Sequence, residues 1–232
     1  MQDQQGTPLK PGSEQNALLL ASLEILLGLA LSTVSFYVFL TITEKVLATS
    51  GTLDTSIAQF VYSIRTPTLT VVMKIVTSFG DEVILAIATL VFIKLNWKER
   101  RREAIVFAAM LVMALVVNIV VKEVVHRPRP AIDPLFEMQT YSFPSGHAMN
   151  AIVFYTLIAR YIFKWFKSDL AFLLAYCSIL MVFFVGFSRV YLGVHYLSDV
   201  LAGFVGGFFI VVTAILLERT LAFYRLYRSR GK

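Results

Sequence analysis

Charge is what this sequence has least of. Asp, Glu, Lys and Arg make up 16% of its 232 residues, where an ordinary soluble domain carries about a quarter. With 57% hydrophobic residues, that shortage excludes a solvated globular domain and describes a membrane protein. Cysteine is scarcer still. Cys177 stands alone, which excludes an intrachain disulfide, and its apolar run marks it as a small buried hydrophobe. Acidic residues number 15 against 21 Lys plus Arg, a net charge of +6. The excess does not point to nucleic acid. The basic residues flank apolar runs rather than line one polar face, so membrane orientation explains them.

Long apolar runs are what the chain does have. A spanning helix needs about 20 such residues, and the runs 17–43, 75–95, 104–125, 147–166, 170–188 and 199–217 meet or approach that length. The first exceeds the roughly 7–15 apolar residues of a secretory signal and reads as an uncleaved helix. Asp81 and Glu82 interrupt the second. The amphipathic stretch 54–74 before it reads as lying along the membrane interface. Three basic groups decide the parity: Lys94 and Lys98–Arg102; Arg160, Lys164 and Lys167; and Arg219, Arg225, Arg228, Arg230 and Lys232. All three fall on one side, the cytoplasmic one, only if all six runs span. The expected architecture is an all-α, six-helix integral membrane bundle with both termini cytoplasmic. Its parts are a disordered tail over 1–16, a membrane domain over 17–217 and a basic tail over 218–232.

The same parity sends Lys122, His126-Arg-Pro-Arg-Pro130, Pro144-Ser-Gly-His147 and the stretch from Ser188 to Asp199 to the outer ends of helices three to six. A lysine one turn inside a helix end usually snorkels. Beside Arg127 and Arg129, held on a segment stiffened by Pro128 and Pro130, it fits an anionic ligand better. Ser145 can cap the next helix or sit in its first turn, where free amides bind anions, and Gly146 lets a ligand approach the backbone. His147 is costly at a membrane helix start without a role. His195 and Asp199 are four apart, so on a helix the carboxylate reaches the ring and holds one tautomer. Arg189 adds a planar fork suited to phosphate oxygens.

Taken together, Lys122 with Arg129-Pro130, Pro144-Ser145-Gly146-His147, and Ser188-Arg189 with His195 and Asp199 resemble, in order and spacing, the type 2 phosphatidic acid phosphatase family of lipid phosphate phosphatases. The lysine spacing selects Arg129 over Arg127 as the family's arginine. The resemblance covers residues from about 54 to 217 and implies hydrolysis of a lipid phosphomonoester or pyrophosphate through a phosphohistidine, with no cofactor. It implies His195 as nucleophile, Asp199 as its orienting partner and His147 as general acid. Lys122, Arg129, Ser145, Gly146 and Arg189 would hold the phosphoryl group. Metal ligation is disfavoured, since two-metal sites need clustered carboxylates and Asp199 is the acid these motifs supply. Phosphatidylglycerophosphate, phosphatidic acid and undecaprenyl diphosphate are the candidate substrates, with the loops 44–80 and 131–143 choosing among them. The partners implied are the lipid and the membrane.

Three other classes compete. A transporter would carry polar residues to mid-membrane depth, and only Glu24 and Asn118 stand away from the motifs without assignment. Vanadate-dependent haloperoxidases are similar in their anion pocket but soluble. An inactive lipid binder would not need His147, His195 and Asp199 together. His126 reads as an interfacial loop residue, and Ala202, Gly203, Gly206 and Gly207 as close helix packing.

Overall fold

The computed structural model describes residues 13–48, 51–136 and 138–230. Most of the expected N-terminal tail, 1–12, lies outside them, as does Lys232. The described chain is all-helical. Its elements are α1 (Ser13–Ala48), α2 (Thr52–Ser63), α3 (Pro67–Ser78), α4 (Glu82–Asn96), α5 (Arg101–Val125), α6 (Gly146–Trp165), α7 (Asp169–Tyr191) and α8 (Leu197–Arg230). By contacts the chain forms two compact units, one of residues 35–211 and one joining the N-terminal part of α1 to residues from 212 onward.

Local chemistry sets the helix ends. The Thr66 side chain accepts from the Leu69 amide and Pro67 opens α3, a residue whose fixed φ suits the first helical position. Asp81, one of the two acids that interrupt an apolar run, caps α4 by accepting from the amides of Val83 and Ile84. Ser145 and Ser168 cap α6 and α7 in the same way. Such a cap is worth about 1 kcal/mol. The acids in 75–95 are therefore punctuation. They split the expected second run, and α3 and α4 meet at 45° across the break. The stretch 54–74, expected along the interface, is likewise two helices: α2 and the start of α3.

Among the described residues, four segments are long and apolar enough to cross a membrane: Leu19–Ala48, Arg101–Val125, Asp169–Tyr191 and Leu197–Leu221. The bent α3–α4 pair makes a fifth if it counts as one span. α6 is not among them, and His147, Asn150, Arg160 and Lys164 are the residues that dilute it. Its buried residues run along the whole helix, from Gly146 to Tyr161, so α5 and α7 cover it and it has less need of a lipid-compatible surface. α8 continues beyond the apolar run, through the expected basic tail to Arg230.

Cys177 is a correction. It is exposed on α7, beside exposed Leu173, Leu174 and Tyr176. The outer face of a membrane helix is as apolar as its inner one, so hydrophobicity does not tell which way a residue points. The small residues of α8 do pack closely. A Cβ on Gly203 would come within 2.6 Å of the Ser145 carbonyl oxygen, and one on Gly207 within 2.7 Å of the Met149 carbonyl oxygen. In the smaller unit, Ser32 and Thr213 share a hydrogen bond of 2.7 Å, and previously unassigned Glu24 pairs with Arg219 at 3.3 Å, both exposed.

Candidate active site

The end of α5, the start of α6 and the turn from α7 into α8 bring the three motifs together. α5 stops at Val125 because His126 takes a left-handed conformation (φ 50°) and Pro128 and Pro130 cannot extend it. The irregular chain that follows carries both arginines. α7 stops at Tyr191, and Gly193, at φ 73°, turns the chain towards α8. A side chain at Gly193 would also collide with the Arg65 guanidinium, 2.6 Å from its Cβ position.

His195 is not on a helix with Asp199. It lies in this turn, two residues before α8 begins. Asp199, in the first turn of α8, reaches back and accepts from the Tyr196 amide at 2.8 Å, which is half of a capping box. The four-residue spacing still brings the groups together, with His195 Nδ1 and Asp199 Oδ2 3.5 Å apart. That is a close approach, longer than an ordinary hydrogen bond. Ser142 fills the gap: its hydroxyl donates to Asp199 Oδ2 and stands 3.4 Å from Nδ1.

On the other side of the ring, Arg129 Nη1 is 3.3 Å from His195 Nε2. A guanidinium has only donors, so Nε2 is the acceptor and the ring proton sits on Nδ1, facing Asp199 and Ser142. The free lone pair thus points at a cation. Burial pushes the imidazole down from 6.5 to about 4, with Asp199 pulling up and Arg189 and Arg129 pushing down with burial. His195 is neutral at neutral pH.

The remaining groups surround this lone pair. Arg129 is fixed by the carbonyls of Thr140, Val194 and Tyr141. Lys122 Nζ lies 3.4 Å from the Thr140 hydroxyl, which Arg129 also engages. Arg189 is 3% exposed. Its Nη1 donates to Thr77 at 2.9 Å, while its buried Nε has no partner among the described residues. His147, on the first turn of α6, has Arg189, Lys122 and Arg129 as cationic neighbours and the His195 ring beside them. Ser145 accepts from the Ala148 amide through its hydroxyl and donates its own amide to the Asp199 carbonyl at 3.0 Å, which ties α6 to α8. Gly146 sits where a Cβ would come within 3.1 Å of Asn118 Oδ1 and 3.3 Å of Glu82 Oε1. All eight residues singled out in the sequence therefore converge.

Arg127 does something different from Arg129. It donates to Asp199 Oδ1, to Ser198 at 2.7 Å and, through Nη2, to Asp54 at 2.7 Å. Burial disfavours its charge, but Asp199 and Asp54 outweigh it and hold the guanidinium above its ordinary value. Asn118, also unassigned from sequence, donates to the Pro144 carbonyl at 3.1 Å and so braces the segment entering α6. His126 stays outside, stacked edge-on against Tyr141 at 4.4 Å. Asp54, Thr77, Ser142 and Thr140 carried no sequence signal, being common residues outside any spaced motif. Among the described residues no three His, Cys, Asp or Glu side chains gather as metal donors.

A cleft of about 300 Å³ runs from Glu82, beside Gly146, between α4 and α5. Leu85, Leu90, Leu111 and Leu115 are among its walls.

Known proteins are similar to this chain in sequence and fold. Phosphatidylglycerophosphatase B of Bacillus subtilis is 32% identical over 176 residues, covering 74% of this chain and 87% of that one. An undecaprenyl-diphosphatase of Sulfolobus acidocaldarius is 28% identical over 159 residues, 66% of this chain and 72% of its own. The crystal structure of a transmembrane PAP2 type phosphatidylglycerolphosphate phosphatase from Bacillus subtilis superposes with a TM-score of 0.76 at 28% identity, over 82% of this chain and 96% of that one. Aquifex aeolicus LpxE shares the fold, at a TM-score of 0.60 and 22% identity over 72% of this chain and 96% of its own. The family model of the PAP2 superfamily matches residues 102–222, from the first turn of α5 through most of α8. With that match and the 32% identical relative, the chain belongs to the PAP2 superfamily.

Proposed function

We propose that this protein is a membrane phosphatase that hydrolyses the phosphomonoester or pyrophosphate of a lipid, without a metal, through a phosphohistidine. The observation that carries the mechanism is the His195 ring, with its Nδ1 proton turned to Asp199 and Ser142 and its Nε2 lone pair turned into a ring of cations. In the first step Nε2 attacks phosphorus. The P–N bond forms, the P–O bond to the leaving group breaks, and His147 gives that oxygen its proton. In the second step water attacks phosphorus and loses its proton to His147, the P–N bond breaks, and phosphate leaves. Arg129, Arg189, Lys122, Ser145 and the Gly146 amide stabilise the equatorial oxygens, which is the main work of a phosphoryl-transfer site. The unpartnered Arg189 Nε fits an anion ligand, since such a donor costs about 1–3 kcal/mol when left unsatisfied.

The lipid class rests on the apolar cleft opening beside Glu82, which suits an acyl or prenyl chain whose phosphate reaches His195. The names of the two relatives keep phosphatidylglycerophosphate and undecaprenyl diphosphate as candidates, with phosphatidic acid as the third. In the membrane the reading has six spans, α3–α4 as the second and α6 as the fourth, with both termini cytoplasmic and the site at the extracytoplasmic face. A transporter is disfavoured by the polar residues away from the site. Thr89 and Asn96 bond to carbonyls of their own helix and offer no path.

The test is hydrolysis of the three lipids by purified protein with excess EDTA, alongside acid-quenched trapping of ³²P-labelled enzyme. Turnover with trapped label is expected. Loss of activity on chelation, restored by Mg²⁺, would sink the histidine mechanism. For topology, a cysteine at 98–102 should be protected from impermeant thiol reagents in intact cells and one near 135 should react.

A further inference from the structure

The second arginine of the Arg-Pro-Arg-Pro segment is busy, and what occupies it lies on a helix outside all three motifs. Arg127 is nine-tenths buried, as is Asp54 of α2, and Asp199 is wholly so. One Arg127 nitrogen serves Asp199 and Ser198, and the other serves Asp54. Asp54 in turn accepts from both the amide and the hydroxyl of Ser198, the residue before Asp199. Tyr196 closes the group from above, its ring centroid 4.3 Å from the guanidinium carbon. Two anions and one cation are thus fixed on a common frame whose charges reach His195 through Asp199, while the Arg127 carbonyl also holds the Ser142 amide at 2.9 Å.

We propose that Arg127 and Asp54 form a positioning pair that sets how strongly Asp199 acts on His195: Arg127 holds one Asp199 oxygen and offsets its charge, and Asp54 offsets Arg127. This rests on the reading of His195 as the nucleophile. A buried carboxylate left to a histidine alone would draw a second proton onto the ring and abolish the nucleophile. Shared with Arg127 and with Ser142, Asp199 fixes the ring without protonating it. The Asp54 carboxylate prevents the opposite excess, since an uncompensated Arg127 would take Asp199 away from the ring.

The charges around His195 give the signs. Asp199 comes from α8, Arg129 from the segment between α5 and α6, Arg189 from α7 and His147 from α6, with Arg127 and Asp54 behind Asp199, and Lys122 of α5 and Asp81 and Glu82 of α4 behind the others. Arg127→Gln removes the cation that offsets Asp199, so the acid limb of kcat/KM should move up by about one pH unit, the usual size for a near charge. Asp54→Asn leaves Arg127 unbalanced and should move the limb down by less. The double variant should fall between the two. A pair that only held α2 in place would lower rate or melting temperature in both variants and leave the limb still.

The experiment measures that limb twice on detergent-purified protein. Once it is read from hydrolysis of a lipid phosphate, and once from binding of orthovanadate, which needs no turnover. Wild type, Asp54→Asn, Arg127→Gln, Arg127→Lys and the double variant are compared, with melting temperatures recorded. Opposite shifts, with Arg127→Lys near wild type, are expected. Unmoved limbs, or shifts of one sign, in an active enzyme that still loses its phosphoryl label with His195→Ala would overturn the pair and leave the nucleophile standing. If Arg127→Gln does not fold, a downward shift in Asp54→Asn supports the pair, and no shift or an upward one removes it. Wild-type protein inert to both lipid and vanadate would remove the nucleophile reading and the pair with it.

Discussion

The two ends of α5 and α6 treat the same residue types in opposite ways. At the end that holds His195, cations are partly or wholly buried and fixed by backbone carbonyls, hydroxyls and the carboxylates of Asp54 and Asp199. At the other end, where α5 starts and α6 stops, they are dispersed. The Arg100 guanidinium lies over Trp165 at 4.3 Å and that of Arg101 over Trp97 at 4.5 Å. Lys164, with its side chain 53% exposed, pairs with Glu103 at 2.9 Å. Below them Phe92, Phe107, Tyr161 and Trp165 stack, with neighbouring centroids as close as 4.5 Å. Density along the chain is therefore a poor guide to a site. The stretch 98–102 holds four cations in five residues, and Lys98, Arg101 and Arg102 are exposed. The cations around His195 come from α5, the irregular segment after it and α7, and folding brings Arg189 to Lys122 and Arg129.

Substitutions can break that contrast, and the largest effect belongs to the end that holds His195. His195→Ala should abolish lipid hydrolysis, a loss of about 10⁴-fold or more for a group on which the whole reaction turns, and no label should be trapped from ³²P-substrate. His147→Ala should lose about 10²–10⁴-fold on lipid but keep measurable phosphorylation from an activated aryl phosphate, whose leaving group needs no proton. Equal losses on the two substrates would remove His147 as the acid. Arg129→Ala should cost about 10²–10³-fold in kcat, whereas Arg100→Ala should leave kcat unchanged. Similar losses from both would erase the distinction between the ends.

A pH measurement sharpens the same contrast more gently. Because the folded His195 binds its proton only near pH 4 against 6.5 in an ordinary imidazole, the unfolded chain takes up the proton first as pH falls. Stability should drop as pH goes from about 6.5 to 4 and level off below, and His195→Ala should flatten that part of the profile. The smallest effect is expected at the other end: Lys164→Ala should cost at most about 1 kcal/mol, as exposed pairs do, read as a small change in melting temperature.

The sequence made these residues legible to different depths. Lys122, Arg129, His147, Arg189, His195 and Asp199 could be read because their spacing is rigid and their types are rare in an apolar chain. Helix ends were legible where Ser145 or Pro128 bounds a run, whereas Asp81 reads in the sequence only as an interruption of 75–95 and in the structure caps α4. Cys177 was not, because lipid and protein interiors reward the same side chains. The placement of His195 off the helix was hidden because an i,i+4 pair meets equally well when a capping turn supplies the curvature. Asp54 and Ser142 were invisible for another reason. Each matters through a partner far away in sequence, Arg127 or Asp199, and no periodicity records such a pairing.

The bond from the Ser145 amide to the Asp199 carbonyl, with Gly203 leaving no room for a side chain against Ser145, makes a hinge-free joint between two helices that enter the site from different parts of the chain. His147 stands two residues from one side of that joint and His195 four from the other. Their mutual distance is referenced to main chain, so a tilt or a slide of the helices around them carries both rings along together. The alignment of donor and acceptor is in this sense a local property, insulated from whatever strain the surrounding lipid puts on the longer helices.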